Sequence, residues 1–348
     1  MKKINSIMLG FAFAGSFLGA GFVSGQEIWQ FFGSFGIKGI LGIGLAFLLH
    51  FLFGVVIIRL VHNTDIIDMD KLVVWEKIPL LRVLVGVVTT VFMFSILVIM
   101  SAGAGALLNR MCGVPQYVGC GIFCLIVAIA TMGGVNGMVN ALSKLVPFMI
   151  LCAVVIGSIS IIKGNFAFDF QSLNDNVLIN NWLFSAITYS SHNLFCSIGI
   201  IAPIALLVDK KNVVKGVGFG SIIMFIISLC VLLGICADIT VAESELPMLE
   251  LGYKINDVVG VLYAISLFFA MFGTSLSSIV GVAEYIEQKS MWFKHYKKLF
   301  VFILCVVGWF CSLFGFGDLI GLVYPISGYF GFGVIIAVTL HWFMKRKK

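Results

Sequence analysis

The first apolar segment of the chain is long enough to cross a bilayer and is interrupted by glycine. It reads Phe13-Ala14-Gly15-Ser16-Phe17-Leu18-Gly19-Ala20-Gly21-Phe22-Val23-Ser24-Gly25-Gln26-Glu27-Ile28, with four Gly in eleven residues and a Gln-Glu pair at its end. In lipid a helix keeps every backbone N–H and C=O in its own ladder, because nothing outside replaces them. Opening that ladder costs several kcal/mol per group unless something polar takes its place. Gly-rich interruptions at mid-membrane depth are how secondary transporters expose carbonyls and half-helix ends to a solute or ion. The segment therefore predicts a binding site as well as a membrane address.

The solvent is lipid because the polar residues are too few to cover a water-facing surface. Only 11% of the 348 residues are charged and 61% are hydrophobic, against about 25% charged in soluble domains. Ten candidate spans follow at 5–33, 38–61, 79–109, 115–132, 138–163, 181–208, 211–236, 257–286, 296–316 and 317–343, each near or above the ~20 residues that a crossing needs. An even count puts both termini on one side. Lys38, Arg110, Lys163 and Lys254 then lie on the opposite side, and the other basic residues lie with the termini. That asymmetry makes the terminal side cytoplasmic and the chain a multi-pass protein of the cell membrane. The short loops account for the net charge of +6 without nucleic acid. The nine Cys stand singly in apolar runs, as packing residues. The opening Met-Lys-Lys, apolar run and Ala-Gly-Ala also fit a cleaved signal peptide, but its removal would leave nine spans and upset the charge asymmetry.

An internal repeat divides the chain. Val85-Gly86-Val87-Val88 recurs as Val259-Gly260-Val261-Leu262, and Gly42-Ile43-Gly44 as Gly216-Val217-Gly218, both 174 positions later. Leu145-Val146-Pro147 recurs as Val323-Tyr324-Pro325, 178 later. Five spans per half make the second copy enter upside down, an inverted repeat of about 5–163 and 181–343 within one transmembrane domain. By the same offset the break in span 1 falls on Tyr189-Ser190-Ser191-His192-Asn193-Leu194-Phe195 in span 6. That polar run is costly in lipid and a poor helix stretch. Breaks are therefore expected in both spans, near 18–22 and 190–194. The alternative is that His192 and Asn193 merely bond between helices.

The five-plus-five arrangement with broken spans 1 and 6 resembles the LeuT fold of the amino acid/polyamine/organocation superfamily. Gly19-Ala20-Gly21-Phe22-Val23-Ser24-Gly25-Gln26-Glu27-Ile28 resembles the first-helix motif of the YkvI-like membrane proteins, a family grouped with amino-acid permeases. The resemblance covers essentially the whole chain and implies an all-α polytopic transporter. It also implies a sodium site: carbonyls of Gly15 and Leu18 in span 1, the carbonyl of Met271, and the hydroxyls of Thr274 and Ser275 in span 8. The competing expectation is that these hydroxyls back-bond to the preceding turn. Phe22 stands where sodium-coupled neurotransmitter-type members carry an Asn for a second sodium, so that ion is not expected. Lys144 in span 5 either snorkels to the interface or replaces the sodium, as a lysine does in some proton-coupled relatives. The loop between spans 7 and 8, with Asp238, Glu243, Glu245 and Glu250, either corresponds to the outer lid of that fold or is acidic simply because it is exposed.

The solute site is expected at Gly19, Ala20 and Gly21 of the break, with Glu27 and with Ser190, Ser191, His192 and Asn193. Glu27 could hold a solute ammonium, carry a coupling proton or cap the outer half-helix. His192 could touch solute or carry a proton, whereas His50 reads as a core hydrogen-bonder. The expected activity is sodium-coupled symport of a small organic solute, an amino acid or related amine, with lipid and that solute as the partners and no cofactor beyond the coupling ion. Proton-coupled transport and an amino-acid receptor of the germinant-sensor type are the alternatives. No metal motif, nucleophile elbow or phosphate loop suggests an enzyme. The sequence sets no oligomeric state.

Overall fold

The computed structural model describes residues 4–74, 78–133, 146–164, 176–287, 293 and 295–346; Lys144 lies outside them. Span 1 is built of three pieces: α1 (Ser6–Gly15), α2 (Ala20–Ser24) and α3 (Gln26–Phe31). There follow α4 (Ile37–Thr64), a short α5 (Met69–Val73), α6 (Pro79–Cys112), α7 (Gln116–Gly133) and α8 (Val146–Lys163). The second half comprises α9 (Trp182–Ala205), α10 (Val213–Cys236), α11 (Pro247–Ile255) in the loop between spans, α12 (Asp257–Glu287), α13 (Lys297–Cys311) and α14 (Phe316–Arg346). Among the described residues six helices are long and apolar enough to cross a membrane by themselves, and α1, α7 and α8 are shorter apolar ones.

The packing follows the repeat. Spans 2, 3 and 4 each lie against the span five places later: α4 on α10, α6 on α12, and α7 on α13. The contact of α1 with α10 is mirrored by that of α9 with α4. Close crossings rest on small residues, which let backbones approach where lipid offers no hydrophobic drive. A Cβ on Gly220 of α10 would stand 2.6 Å from the Gly10 carbonyl of α1, and one on Gly234 would stand 2.9 Å from Gly157 Cα of α8. The small-residue run at 101–105 in α6 is fully packed in the same way, with Gly105 against Gln116 and Cys120.

Span 1 is broken, at residues 16–19, which overlap the expected 18–22 and begin two residues before it. The helix stops at Gly15 and resumes at Ala20, and a second interruption falls at Gly25, whose φ of 85° favours glycine. Span 6 is not broken. Helix α9 runs without interruption from Trp182 to Ala205, through the whole polar stretch. Ser190, His192 and Asn193 find partners there without opening the backbone. Ser190 Oγ donates to the Ala186 carbonyl one turn back and to Ala46 O of α4, both at 2.9 Å. Asn193 Nδ2 donates to Tyr189 O at 3.1 Å. A run of Ser, His and Asn therefore marks helix-to-helix bonding here, and the missing ingredient for a break is glycine or proline. Proline does occur further on, at Pro203 and, in α14, at Pro325. Pro325 cannot donate to the carbonyl four residues back; that carbonyl, Gly321 O, instead accepts from Asn176 Nδ2 at 2.8 Å.

Candidate functional site

The break in span 1 faces a cavity of about 210 Å³ lined by Gly15, Ser16, Leu18, Gly19 and Ala20, and across from them by Ala270, Gly273, Thr274 and Ser277 of α12. Met149 and Ile200 line its side toward the chain termini. Around the break most carbonyls are engaged. Ser16 O accepts from Ser197 Oγ at 3.0 Å, Gly21 O from Ser24 Oγ at 2.7 Å, and Val23 O from the Tyr263 hydroxyl. The carbonyls of Gly15 and Leu18 accept no hydrogen bond from any described residue. Leu18 is buried, where a carbonyl is rarely left so, and Gly15 is exposed at the open end of α1.

Thr274 and Ser275 depart from the common pattern of membrane-helix hydroxyls, as Ser221 and Ser228 of α10 also do. Thr89, Thr90, Ser101, Thr131, Ser266 and Thr339 all return their hydroxyls to the carbonyl four residues back. Neither Thr274 nor Ser275 makes that bond, and Ser275 Oγ is buried with no partner at all. Thr274 lines the cavity with Gly15 and Leu18, whereas Ser275 and Met271 lie one position round the helix, outside the lining residues. The Met271 side chain packs toward Gly103 of α6.

A second polar cluster lies on the other side of α2. Glu27, the second residue of α3, is 4% exposed, and its carboxylate folds back over Gly21. A Cβ on Gly21 would stand 2.9 Å from Glu27 Oε2 and 3.1 Å from the Tyr324 hydroxyl of α14. Tyr189 and Asn193 of α9 flank the same carboxylate. Tyr324 stacks on His192, with ring centroids 4.0 Å apart, and the His192 Nδ1 pairs with Ser327 Oγ. That serine spends its proton on Tyr324 O, so Nδ1 carries the hydrogen and Nε2 the lone pair. His50, beyond Tyr189, donates from Nδ1 to Ala46 O at 2.7 Å, and its Nε2 is buried without a partner.

Glu27, His192 and Asn193 are thus brought together at Gly21, and Gly19 and Ala20 line the neighbouring cavity. Ser190 is turned to α4, and the Ser191 carbonyl packs against Gly331 of α14. Tyr189, Tyr324 and Ser327 escaped the sequence reading because tyrosine and serine in an apolar span look like ordinary packing.

The side away from the termini is shut over this cluster. Met248 of α11 packs on Gly25, where a Cβ would meet its Cγ at 2.8 Å. Gln30 Nε2 donates to Gly317 O at 2.7 Å. Glu245, in the loop before α11, accepts from Gln116 Nε2 at 3.0 Å and from the Phe316 amide at 3.3 Å. It thereby ties the loop to α7 and to the first turn of α14. Burial pushes its carboxyl above the usual carboxylate range, with Asp318 adding to the effect. Arg110 and Glu250 close the rim with a two-pronged ion pair of 2.6 and 3.1 Å.

No family model matches the chain. It is similar to the membrane protein YkvI of Bacillus subtilis, with 24% identity over 347 residues covering 97% of this chain and 96% of that one. It is also similar to YyaD of the same organism, at 26% over 347 residues and 96% of each. Among solved structures it shares its fold with MhsT bound to L-phenylalanine, at a TM-score of 0.63, 14% identity, and 100% and 99% coverage. It likewise resembles a variant of the manganese transporter of Eremococcus coleocola, at a TM-score of 0.57, 12% identity, and 97% and 86% coverage. The similarity to YkvI runs along essentially the whole chain, as the first-span motif led one to expect, and the chain has the LeuT fold of these solved structures.

Proposed function

We propose that the chain is a secondary transporter that moves a small organic solute, an amino acid or related amine, by alternating access in symport with sodium. The observation that carries this reading is the set of unpaired oxygens at the break: the carbonyls of Gly15 and Leu18, and the hydroxyls of Thr274 and Ser275. Neutral oxygens converging on one cavity suit a hard monovalent cation. The fit is best for Gly15, Leu18 and Thr274, which share the cavity; Ser275 joins by a change of side-chain rotamer, and the Met271 carbonyl completes the set. The solute sits at the break beside Gly21, against Glu27, His192 and Asn193. Among the described residues no group of three or more His, Cys, Asp or Glu side chains could hold a metal, which favours an organic cargo over a divalent ion such as the manganese of the one neighbour. Lipid surrounds the spans, and both termini face the cytoplasm.

The test is uptake of radiolabelled amino acids and amines into proteoliposomes under an imposed sodium gradient. Accumulation above equilibrium that collapses when sodium is equalised supports symport. Accumulation driven by a proton gradient alone overturns sodium coupling, and tight binding with no uptake favours a receptor.

A further inference from the structure

The polar cluster over Gly21 gathers a buried carboxylate, two imidazoles and two tyrosine hydroxyls around one point and holds no cation among the described residues. Glu27 Oε1 and His50 Nε2 are buried acceptors with no partner, and the Tyr189 hydroxyl between them is unpartnered as well. His192 adds a third acceptor, since its Nδ1 proton is committed to Ser327. None of the ion pairs among the described residues includes Glu27. A buried carboxylate without a cation is costly, and so is a buried acceptor without a donor. What the cluster lacks is a positive charge beside its carboxylate.

Main-chain oxygens decide which cation. An alkali ion seeks carbonyls, yet those of Gly21, Val23, Tyr189 and Tyr324 are each engaged by a side-chain donor. What remains is a carboxylate, hydroxyls and the stacked faces of Tyr324 and His192. That set suits an organic ammonium, which gains from both hydrogen bonds and aromatic faces.

We infer that the Glu27 cluster binds the protonated amino group of the solute, and that Tyr324 of span 10 is a selectivity residue for primary amines. The inference rests on the reading of the chain as a solute carrier and narrows it: the amine is the recognised group, and the carboxylate of an amino acid is dispensable.

The test uses the full chain in lipid nanodiscs, with thermal shift read against matched probes. Phenethylamine and butylamine should stabilise the protein, whereas 2-phenylethanol, butanol, 3-phenylpropionate and butyrate should not. Glu27→Gln should weaken amine binding at least about tenfold, and Tyr324→Phe about tenfold, the scale of one hydrogen bond to a charged group. Both variants should keep the wild-type sodium shift, which shows that they fold. Amine binding unchanged in Glu27→Gln, alcohols acting as well as amines, or no amine stabilising the wild type would each overturn the inference. Sodium-driven uptake that Glu27→Gln leaves intact refutes the amine site and spares the transport reading. Amine binding lost in Glu27→Gln, in a protein that moves no solute, supports the site and refutes transport.

Discussion

Replacing Ser275 by alanine should stabilise the protein without sodium and destabilise it with sodium. Ser275 is fully buried, and its hydroxyl has neither a helical back-bond nor any other partner. A buried hydroxyl left so costs about 1–3 kcal/mol. Alanine removes the oxygen and leaves a cavity smaller than a methyl group, so the sodium-free protein should gain most of that amount. A gain of 1 kcal/mol corresponds to roughly 2–4 °C in Tm for a chain of somewhat smaller size, so a rise of a few degrees is expected in choline buffer. In sodium the sign reverses. Binding stabilises by RT ln(1 + [Na]/Kd), about 2.7 kcal/mol when sodium is a hundredfold above Kd. Loss of one of about five ligands should raise Kd enough to remove most of that term. Adding Thr274→Val, which keeps the branched shape, should abolish the sodium response. The assay is differential scanning fluorimetry of the purified protein in paired choline and sodium buffers. If Ser275→Ala lowers Tm equally in both, Ser275 is an ordinary packing residue. If the double variant keeps the wild-type sodium shift, the ion lies elsewhere.

Three further outcomes are expected. Gly25→Ala should cost about 1–2 kcal/mol from the left-handed backbone alone, and the Met248 contact at 2.8 Å adds to it; thiol labelling of a cysteine placed at Gln26 should then rise as the outer side loosens. For Glu245 the folded carboxyl lies above its unfolded value, so the folded state binds more protons in the window between them and stability falls as pH rises through that window. Glu245→Gln should abolish this part of the pH dependence, and a melting profile across the acidic range that matches wild type would refute the assignment. Asn176→Leu should cost about 1–3 kcal/mol, because Gly321 O then loses its donor beside Pro325; an unchanged urea midpoint of unfolding would refute it.

Much of the fold was legible in the sequence because lipid punishes errors severely. Apolar runs of the right length and the one-sided distribution of Lys and Arg define the spans before any packing is known. The break in span 1 was legible because glycine is its direct cause: Gly15, Gly19 and Gly25 fall at the three helix ends. Span 6 was misread because Ser190, Ser191, His192 and Asn193 carry polarity in the side chain, and side-chain polarity can be met by a neighbouring helix with the backbone intact. The repeat offset carries position across the two halves but not conformation. The site was only half legible for a related reason. Glu27 stands out as a carboxylate in an apolar segment, but Tyr324 and Ser327 arrive beside it from about 300 residues away in sequence, and nothing local to span 10 announces that meeting.

The segment below the break acts on the rest of the molecule as a lever. Its foot is pinned, since the Ile4 amide donates to Leu207 O at 2.9 Å and Ile4 pairs with Val208 at the turn between α9 and α10. Its flank is seated on α10 through Gly10 and Gly220. Its head ends in the uncoiled residues 16–19, which have little torsional stiffness of their own. Ten residues at 1.5 Å rise make an arm of about 15 Å, so a tilt of roughly 20° about the uncoiled joint would swing the foot by about 5 Å. Such a swing must either break the Ile4 pairing or drag the α9–α10 turn with it. The Ile4 contact thus ties the position of the arm to that of the α9–α10 turn, so the two ends of the halves move together or the contact breaks.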